Sequence, residues 1–188
     1  EHTISQSLHR NQRGGLLLVG LDKLNIVSDV YGEDTADAIV LAAARRIEDC
    51  MRTGDVVGRV GFDRFAVIVN RCSPEELSTI AGRFLATIRE TPIATPAGPM
   101  TITASIGVSL FPDDAPTARE VVANADNALR GARRLGCDCY LEYSDLPEHT
   151  RTERPDLVVA EQVKQALKDE RFTLAFPPIV STVTGEVT

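Results

Sequence analysis

The sequence lacks tryptophan altogether and has three tyrosines and four cysteines among its 188 residues. It also lacks a long apolar run, since stretches such as 16–19 and 66–69 fall far short of the roughly 18 residues that a membrane-spanning helix needs. Positive charge is scarce, because 20 Lys and Arg stand against 27 Asp and Glu and leave a formal net charge of -7. A broad contact with nucleic acid or an anionic membrane needs clustered Lys and Arg. We therefore expect no nucleic acid partner and no membrane contact for this segment.

The cysteines do not show the paired spacing of a zinc site. Only Cys137 and Cys139 lie close together in the sequence. We interpret these two as alternating positions of a strand, one packed in the protein and one facing water. This usage of cysteine fits a reducing compartment, and no signal peptide opens the chain, so we expect a cytoplasmic location.

Apolar residues make up 43% and charged residues 25% of the sequence, which is the balance of an ordinary globular protein. The periodicity of apolar residues predicts an α+β fold in which helices pack on a central sheet. The predicted strands are 16–21, 55–60, 65–69, 101–110 and 139–143, and the predicted helices are 22–31, 35–51, 73–89 and 117–134, after a helical tail at 4–13.

The chain length suggests one domain and a remainder too short to fold alone. Residues 144–155, with two prolines and many charges, are typical of a linker. We therefore predict a first domain at 1–143 and the beginning of a second unit at 156–188, with a helix at 156–170 and a strand at 172–180.

Four short motifs stand in order along the predicted first domain. The segment 19–32 reads VGLDKLNIVSDVYG, residues 61–65 at the tip of the predicted hairpin read GFDRF, and SIGV and ADNAL follow at 105–108 and 125–129. In this order they resemble GGDEF domains, the diguanylate cyclases. That family usually reads Asp-x-Asp-x-Phe-Lys-x-x-Asn-Asp-x-Tyr-Gly in the first segment and Gly-Gly-Asp-Glu-Phe at the hairpin tip. The resemblance implies a nucleotidyl-cyclase-like fold with a mostly antiparallel central sheet.

The resemblance also implies a chemistry that depends on metal ions. In the family, the 3'-hydroxyl of one GTP attacks the α-phosphate of another GTP held by a second subunit, and divalent cations offset the phosphate charge. The family takes the acids for these cations from the end of the first strand and from the hairpin tip. This sequence has Gly20 at the first position and Arg64 at the second. Asp63 remains of that set, and Asp22 corresponds to the other acid of the family's first-strand pair.

Two of the five positions at the hairpin tip differ from the family signature. Arg64 replaces a Glu and changes the side-chain charge from -1 to +1. Phe62, which follows Gly61, replaces a glycine that lets the backbone approach phosphate closely. We therefore expect magnesium, which active relatives use, to bind weakly, and we predict no cofactor, no metal site, no catalytic residue and no cyclase activity.

The sequence keeps part of the guanine site that the resemblance implies. Ser28 stands where the family has Asn, Asp37 keeps the partner acid, and Arg133 corresponds to a Lys that contacts phosphate, while Cys137 replaces a nearby Arg. Binding of GTP therefore remains an alternative. Contact of Arg64 with a phosphate could hold a nucleotide without metal but could not supply the missing Lewis acid.

A second candidate site lies shortly before the hairpin tip. Arg52 and Asp55 form an Arg-x-x-Asp motif, with five residues between Asp55 and Gly61, where many GGDEF domains carry an inhibitory site for cyclic di-GMP. Arg offers a planar fork to guanine or phosphate, and Asp accepts from the guanine N–H groups. The family often supplies another Arg from the position of Arg83. The alternative is an ordinary helix end, where Arg is favoured, followed by a Gly-Asp turn.

The end of the sequence contains a further motif. Residues 176–180 read FPPIV, and Thr184-Gly185 follows. This segment resembles the opening strand of EAL phosphodiesterase domains, usually Tyr-Gln-Pro-Ile-Val. The resemblance implies an attached EAL domain, but none of that domain's metal-binding acids lies within these residues.

These motifs lead to four hypotheses of function. The preferred one is a catalytically inactive GGDEF domain that acts as a regulatory or dimerisation module in bacterial cyclic di-GMP signalling and binds cyclic di-GMP at the Arg-x-x-Asp motif. The first alternative is a GTP-binding allosteric domain that activates the attached EAL phosphodiesterase. A weak diguanylate cyclase and a nucleotide-independent protein-interaction scaffold are the others.

Overall fold

A computed structural model of the chain describes residues 2–10, 12–147, 164–169 and 171. The chain divides into two compact units, Glu1–Thr152 and Glu153–Thr188. In the second unit, residues 164–168 are helical. The predicted strand 172–180 and most of the predicted helix 156–170 lie outside the described residues, and the predicted linker 144–155 stays a prediction.

All the elements named below belong to the first unit. The helices are α1 (His2–His9), α2 (Leu24–Tyr31), α3 (Glu33–Asp49), α4 (Pro74–Glu90) and α5 (Ala118–Arg134). The strands are β1 (Gly14–Leu21), β2 (Val56–Arg59), β3 (Arg64–Asn70), β4 (Ile93–Thr95), β5 (Gly98–Met100), β6 (Ala104–Phe111) and β7 (Tyr140–Glu142).

Five of the strands form the central sheet in the order β2–β3–β1–β6–β7. The β2–β3, β3–β1 and β1–β6 pairs are antiparallel, and only the β6–β7 pair of this sheet is parallel. The predicted α+β class, with a mostly antiparallel sheet flanked by helices, is confirmed.

Helices cover both faces of this sheet. Successive side chains of a strand point to opposite faces, so Leu17 and Val19 of β1 pack in the core that α3 and α4 complete. Leu16 and Leu18 pack on the other face, against α1 and α5. Every residue of β1 is buried, which explains why this strand is continuously apolar and does not alternate with polar residues.

Local signals in the sequence set the ends of several helices as expected. Ser73 accepts a hydrogen bond from the backbone N–H of Glu76, and the Glu76 side chain accepts one from the backbone N–H of Ser73, so α4 begins with a complete capping box. Thr117 caps α5 through the backbone N–H of Glu120. Gly32 separates α2 from α3 with φ at 85°, a left-handed conformation that glycine adopts without strain.

Two local predictions were wrong. The stretch 91–99, predicted to be irregular, contains most of a hairpin formed by β4 and β5, and the next strand begins at Ala104 instead of Thr101. Cys137 and Cys139 do not alternate along a strand, because β7 begins only at Tyr140. Cys137 has φ at 68° and lies in the turn that returns the chain from α5 to the sheet.

Among the described residues, no helix combines the length and the apolar character that crossing a bilayer requires.

Candidate functional site

The end of β1, the β2–β3 hairpin and α5 meet at one edge of the sheet. The register pairs Gly20 with Arg64 of β3 on one side and with Ser105 of β6 on the other. The backbone N–H of Leu21 donates to the carbonyl of Asp63 at 2.8 Å, which fixes the hairpin tip against the end of β1. Four residues that the sequence resemblance singled out come together here: Asp22, Asp63, Arg64 and Arg133.

Arg133 reaches from α5 across the end of β1. Its Nη2 lies 2.6 Å from Asp63 Oδ2 and donates to the carbonyl of Leu21 at 3.1 Å. An ideal Cβ built on Gly20 would lie 2.6 Å from the same nitrogen. The guanidinium of Arg133 therefore occupies the space that a side chain at position 20 would take.

Asp22 is buried at the same edge, with 3% of the residue exposed. Its carboxylate accepts hydrogen bonds from Thr103 Oγ1 at 2.8 Å, from Ser105 Oγ at 2.7 Å and from the backbone N–H of Asp138 at 3.2 Å. The Nε of Arg133 lies 3.9 Å from Asp22 Oδ1. Asp22 therefore ties β1 to β6 and to the turn before β7, and its oxygen atoms are already engaged.

Arg64 pairs with an acid on α5 that the sequence reasoning missed. Its Nη1 lies 2.6 Å from Asp126 Oδ1, and its Nε lies 3.6 Å from Asp63 Oδ1. Arg130 contacts the other oxygen of Asp126 at 2.5 Å. The sequence could have indicated the pair of Asp126 and Arg130, since residues four apart on a helix are neighbours. It gives no such signal for the contact between Arg64 and Asp126.

These side chains form what we call the charged cluster. It consists of Asp22, Asp63, Asp126, Arg64, Arg130 and Arg133. Three carboxylates and three guanidinium groups balance to a formal charge of zero. Each member has its charge partner inside the cluster.

Arg59 organises the hairpin tip itself. Its Nε donates to the carbonyl of Gly61 at 3.0 Å, and its Nη2 donates to the carbonyl of Phe62 at 2.9 Å. The side chain of Phe62 points outward, with 48% of the residue exposed. Two carbonyl groups of the tip are thus occupied by a neighbouring side chain.

Of the two guanine positions that the resemblance implied, Asp37 and Ser28, only Asp37 lines the groove beside β2. Asp37 lines a groove of about 540 Å³ between α3 and β2, together with Leu41, Arg59 and Phe65. Ser28, on α2, is not among the residues that line it. The structure therefore places one of the two predicted guanine contacts in this groove.

The Arg-x-x-Asp motif forms the turn before β2. Arg52 Nε lies 3.6 Å from Asp55 Oδ1, and Arg52 Nη2 donates to the carbonyls of Asn70 and Arg71 at 3.2 and 3.4 Å. The Asp55 side chain is only 6% exposed, whereas the Arg52 side chain is 49% exposed. Asp55 therefore holds Arg52, and Arg52 presents part of its guanidinium to solvent.

Arg83 lies on one side of this turn. Its Nη2 donates to the carbonyl of Cys50 at 2.6 Å. Arg52 and Arg83 line one groove of about 540 Å³, in which Asp49 and Glu76 also take part. Asp55 lies outside that groove and lines a different pocket, which it shares with Arg52.

Comparison with known proteins gives a consistent result. Residues 1–139 match the family described as diguanylate cyclase, GGDEF domain. The chain is similar to the bifunctional diguanylate cyclase/cyclic di-GMP phosphodiesterase MucR of Pseudomonas aeruginosa, with 28% identity over 185 residues, which are 98% of this chain and 27% of MucR. The chain thus spans only part of the length of this curated relative.

Two solved structures share the fold. The GGDEF domain of YfiN from Pseudomonas aeruginosa has a TM-score of 0.71 at 24% identity, covering 76% of this chain and 83% of that chain. The GGDEF domain of DgcB from Caulobacter crescentus, in complex with c-di-GMP, has a TM-score of 0.70 at 18% identity, covering 77% and 85%. The family match extends from the first residue through α5, and it agrees with the shared fold and with the four motifs. The chain belongs to the GGDEF domain family.

Proposed function

We propose that this GGDEF domain does not synthesise cyclic di-GMP and instead serves as a regulatory or dimerisation domain in a bacterial cyclic di-GMP signalling protein. The position of Arg133 carries the proposal. Its guanidinium lies 2.6 Å from the remaining acid of the hairpin tip, Asp63, and covers Gly20. A cation thus stands where the family's chemistry needs anionic ligands for a metal.

The residues present do not fit the magnesium ions of an active cyclase. Magnesium requires oxygen ligands, mainly carboxylates. Gly20 has no side chain, Arg64 is a cation, and the carboxylates of Asp63 and Asp22 are held by Arg133 and by buried donors. Within the described part of the chain, no group of three or more His, Cys, Asp or Glu is arranged to hold a metal ion.

The hairpin tip also opposes catalysis on steric grounds. Phe62 places a large side chain where the family uses a glycine that lets the backbone approach phosphate closely. A triphosphate that approached the backbone of the tip would meet this side chain. The obstruction supports the absence of synthesis separately from the lack of metal ligands.

An activity assay tests this proposal directly. The protein is incubated with GTP and magnesium, and the products are separated by chromatography beside an active diguanylate cyclase. We expect no cyclic di-GMP above the background of the buffer. Formation of product in proportion to protein concentration would support the weak-cyclase alternative and refute the proposal.

We further propose that the domain binds cyclic di-GMP at the turn formed by Arg52 and Asp55. The exposed part of the Arg52 guanidinium can pair with guanine or phosphate, and the buried Asp55 keeps it in place. Pre-organisation of this kind lowers the entropic cost of binding. The fold shared with the c-di-GMP complex of DgcB is consistent with such a site.

Titration calorimetry with cyclic di-GMP tests this ligand. We expect binding by the wild type and a clear loss in Arg52→Ala. Arg45→Ala serves as the matched control, because Arg45 is an exposed arginine of α3 that lines neither of the two pockets beside the turn. Thermal unfolding of each variant shows whether it remains folded. The absence of heat with a folded wild type would refute the proposal and favour the scaffold alternative. Equal binding by Arg52→Ala would refute the proposed site, because the ligand would then bind elsewhere.

The groove lined by Asp37 supports GTP binding as a second candidate function. Asp37 can accept from the N1 and N2 hydrogen atoms of guanine, and Arg59 lines the same groove. If this groove holds GTP, the nucleotide should raise the Tm with or without magnesium, since ligand binding to the native state stabilises it. Asp37→Asn should abolish the shift, and no shift in the wild type would exclude this candidate.

For the whole protein, we propose a cytoplasmic signalling protein in which an EAL phosphodiesterase domain follows residue 155. The motif at 176–185 and the similarity to MucR support this arrangement. Measuring hydrolysis of cyclic di-GMP by the whole protein, with and without GTP, would test both the attached activity and its regulation. Size-exclusion chromatography with light scattering would test the homodimer.

A further inference from the structure

Asn70, the last residue of β3, connects this strand to α1 and to the turn that contains the Arg-x-x-Asp motif. Its Nδ2 donates to the carbonyl of Gly54 at 2.9 Å, and its Oδ1 accepts from Ser7 Oγ of α1 at 3.0 Å. Its backbone carbonyl accepts from Arg52 Nη2 at 3.2 Å. A single residue therefore contacts the helix, the backbone of the turn and the arginine that the turn presents.

The turn contains a residue whose backbone is easily rearranged. Gly54 has φ at 101°, and glycine adopts left-handed and right-handed conformations about equally readily. Inside the turn, the backbone N–H of Asp55 donates to the carbonyl of Arg52 at 3.1 Å, and the two side chains form an ion pair. The hydrogen bond from Asn70 adds a restraint from outside the turn and fixes the direction of the Gly54 carbonyl.

Asn70 acts on this turn from outside the groove that Arg52 shares with Arg83. It is not among the residues that line that groove, and it lines the smaller pocket beside α1. A ligand held by Arg52 and Arg83 in the groove is therefore reached by Asn70 only through the turn, which carries Arg52.

The end of the connection on α1 is firmly anchored. Ser7 is only 6% exposed, and Ile4, one turn earlier, is 1% exposed and packs in the core that α1 shares with α5. The carbonyl of Ser7 accepts from the backbone N–H of Gln12 at 2.9 Å. A shift of α1 relative to β3 would therefore act directly on the hydrogen bond between Ser7 and Asn70.

We infer that Asn70 is a positioning residue of the cyclic di-GMP site and couples this site to α1. The oxygen that accepts from Ser7 and the nitrogen that donates to Gly54 belong to one planar amide group, so a rotation that disturbs one hydrogen bond also disturbs the other. With both bonds in place, the turn is pre-organised for its ligand. The inference rests on the proposed binding of cyclic di-GMP at the turn, and the coupling is reciprocal, so the ligand should also stabilise the end of α1.

Titration calorimetry with cyclic di-GMP tests the positioning role in the wild type, Asn70→Ala, Ser7→Ala and the double variant. We expect Asn70→Ala to bind about three- to tenfold more weakly, as for the loss of one hydrogen bond. Ser7→Ala should bind about twofold more weakly, because Asn70 then keeps its bond to the turn and loses only its orientation. Since Ser7 acts through Asn70, the double variant should bind like Asn70→Ala alone.

Asn124→Ala is the matched control for these variants. Asn124 Nδ2 of α5 likewise donates to a backbone carbonyl, that of Asp114, at 3.2 Å, and Asn124 lines neither of the two pockets beside the turn. Its replacement should lower the Tm without changing the affinity for cyclic di-GMP. The comparison separates an effect on the site from a general loss of stability.

Hydrogen exchange of backbone amides tests the coupling to α1. At saturating cyclic di-GMP, exchange in the last turn of α1 should slow in the wild type and in Asn124→Ala. In Asn70→Ala, brought to the same saturation by a higher ligand concentration, exchange in α1 should stay as it is without ligand. Circular dichroism shows that each variant is folded.

Three results would overturn the inference while the proposed ligand site still stood. They are the loss of binding in Arg52→Ala with unchanged binding in Asn70→Ala, equal weakening by Asn70→Ala and Asn124→Ala, and exchange in α1 that responds to the ligand in neither or in both of the wild type and Asn70→Ala. Additive losses in the double variant would overturn the coupling through Asn70. If the folded wild type did not bind cyclic di-GMP, the inference and the proposal beneath it would both fail.

Discussion

Gly20 and Arg133 compete for one volume, and substitutions at both positions test whether the guanidinium truly lies there. An alanine Cβ at position 20 would lie 2.6 Å from Arg133 Nη2, 3.1 Å from its Cζ and 3.2 Å from Leu129 Cδ2. The Arg133 guanidinium is the far end of a flexible side chain, so it would move aside. Its hydrogen bond to Asp63 would then be lost.

The loss of that hydrogen bond sets the expected change in the free energy of unfolding. A hydrogen bond to a charged group contributes about 1.5–3 kcal/mol, and the 29% exposure of the Arg133 side chain lowers the value toward about 1–2 kcal/mol. Replacing glycine by alanine recovers roughly 0.5 kcal/mol through the unfolded state. We therefore expect Gly20→Ala to destabilise the domain by about 1 kcal/mol and Arg133→Ala to destabilise it by about 1–2 kcal/mol.

The double variant is the decisive measurement. Without the guanidinium, only the 3.2 Å contact of the new methyl group with Leu129 Cδ2 remains. This tight contact offsets the roughly 0.5 kcal/mol gained through the unfolded state, so Gly20→Ala should cost nothing further in the Arg133→Ala background. The coupling between the two changes should be about 1 kcal/mol, measured from urea unfolding midpoints at constant slope. Gly58→Ala is the control, because a Cβ at Gly58 would meet nothing within 4 Å. Additive effects at positions 20 and 133 would refute the arrangement.

Three further predictions concern the same domain. Asp22→Ala leaves three donors without an acceptor and should lower the free energy of unfolding by about 2–4 kcal/mol; an unchanged Tm would contradict the role of Asp22 as a buried tie. Magnesium chloride and EDTA should give the same Tm, because no stabilising metal site is proposed, and a rise of several degrees with magnesium would count against this. Burial raises the pKa of Cys72 to about 11, so its thiol stays protonated at neutral pH and becomes reactive only as the pH approaches that value. Iodoacetamide at pH 8 should therefore alkylate Cys72 more slowly than the half-buried Cys50, as measured by peptide mass spectrometry. Equal rates of alkylation would contradict the prediction.

The sequence predicted the fold where local chemistry determines it. The apolar run of β1, the capping Ser73 of α4 and the helix-ending Gly32 each act through neighbours within a few residues. Such signals can be read from one sequence. The hairpin of β4 and β5 escaped prediction because each strand is three residues long and β5 contains Gly98 and Pro99, and these two residue types usually indicate irregular structure.

The candidate site was predicted in part. The family motifs identified Arg64 and Arg133 as unusual, but they did not reveal which acids these arginines contact. Arg64 and Asp126 are 62 positions apart in the sequence, and only the packing of α5 against the sheet brings them together. The splitting of Arg52, Arg83 and Asp55 between two pockets likewise depends on side-chain directions, which a single sequence does not contain.

The pairing of Arg64 with two flanking acids restricts the substitutions that could lead back to an acidic hairpin tip. A glutamate at position 64 alone would face Asp63 and Asp126, so three like charges would crowd one another. An aspartate at position 20 alone would meet the guanidinium of Arg133 and form one more internal ion pair. Neither single substitution would therefore create a set of metal ligands. Several replacements would be needed at once, so the effects of these substitutions depend on one another through the charges of the cluster.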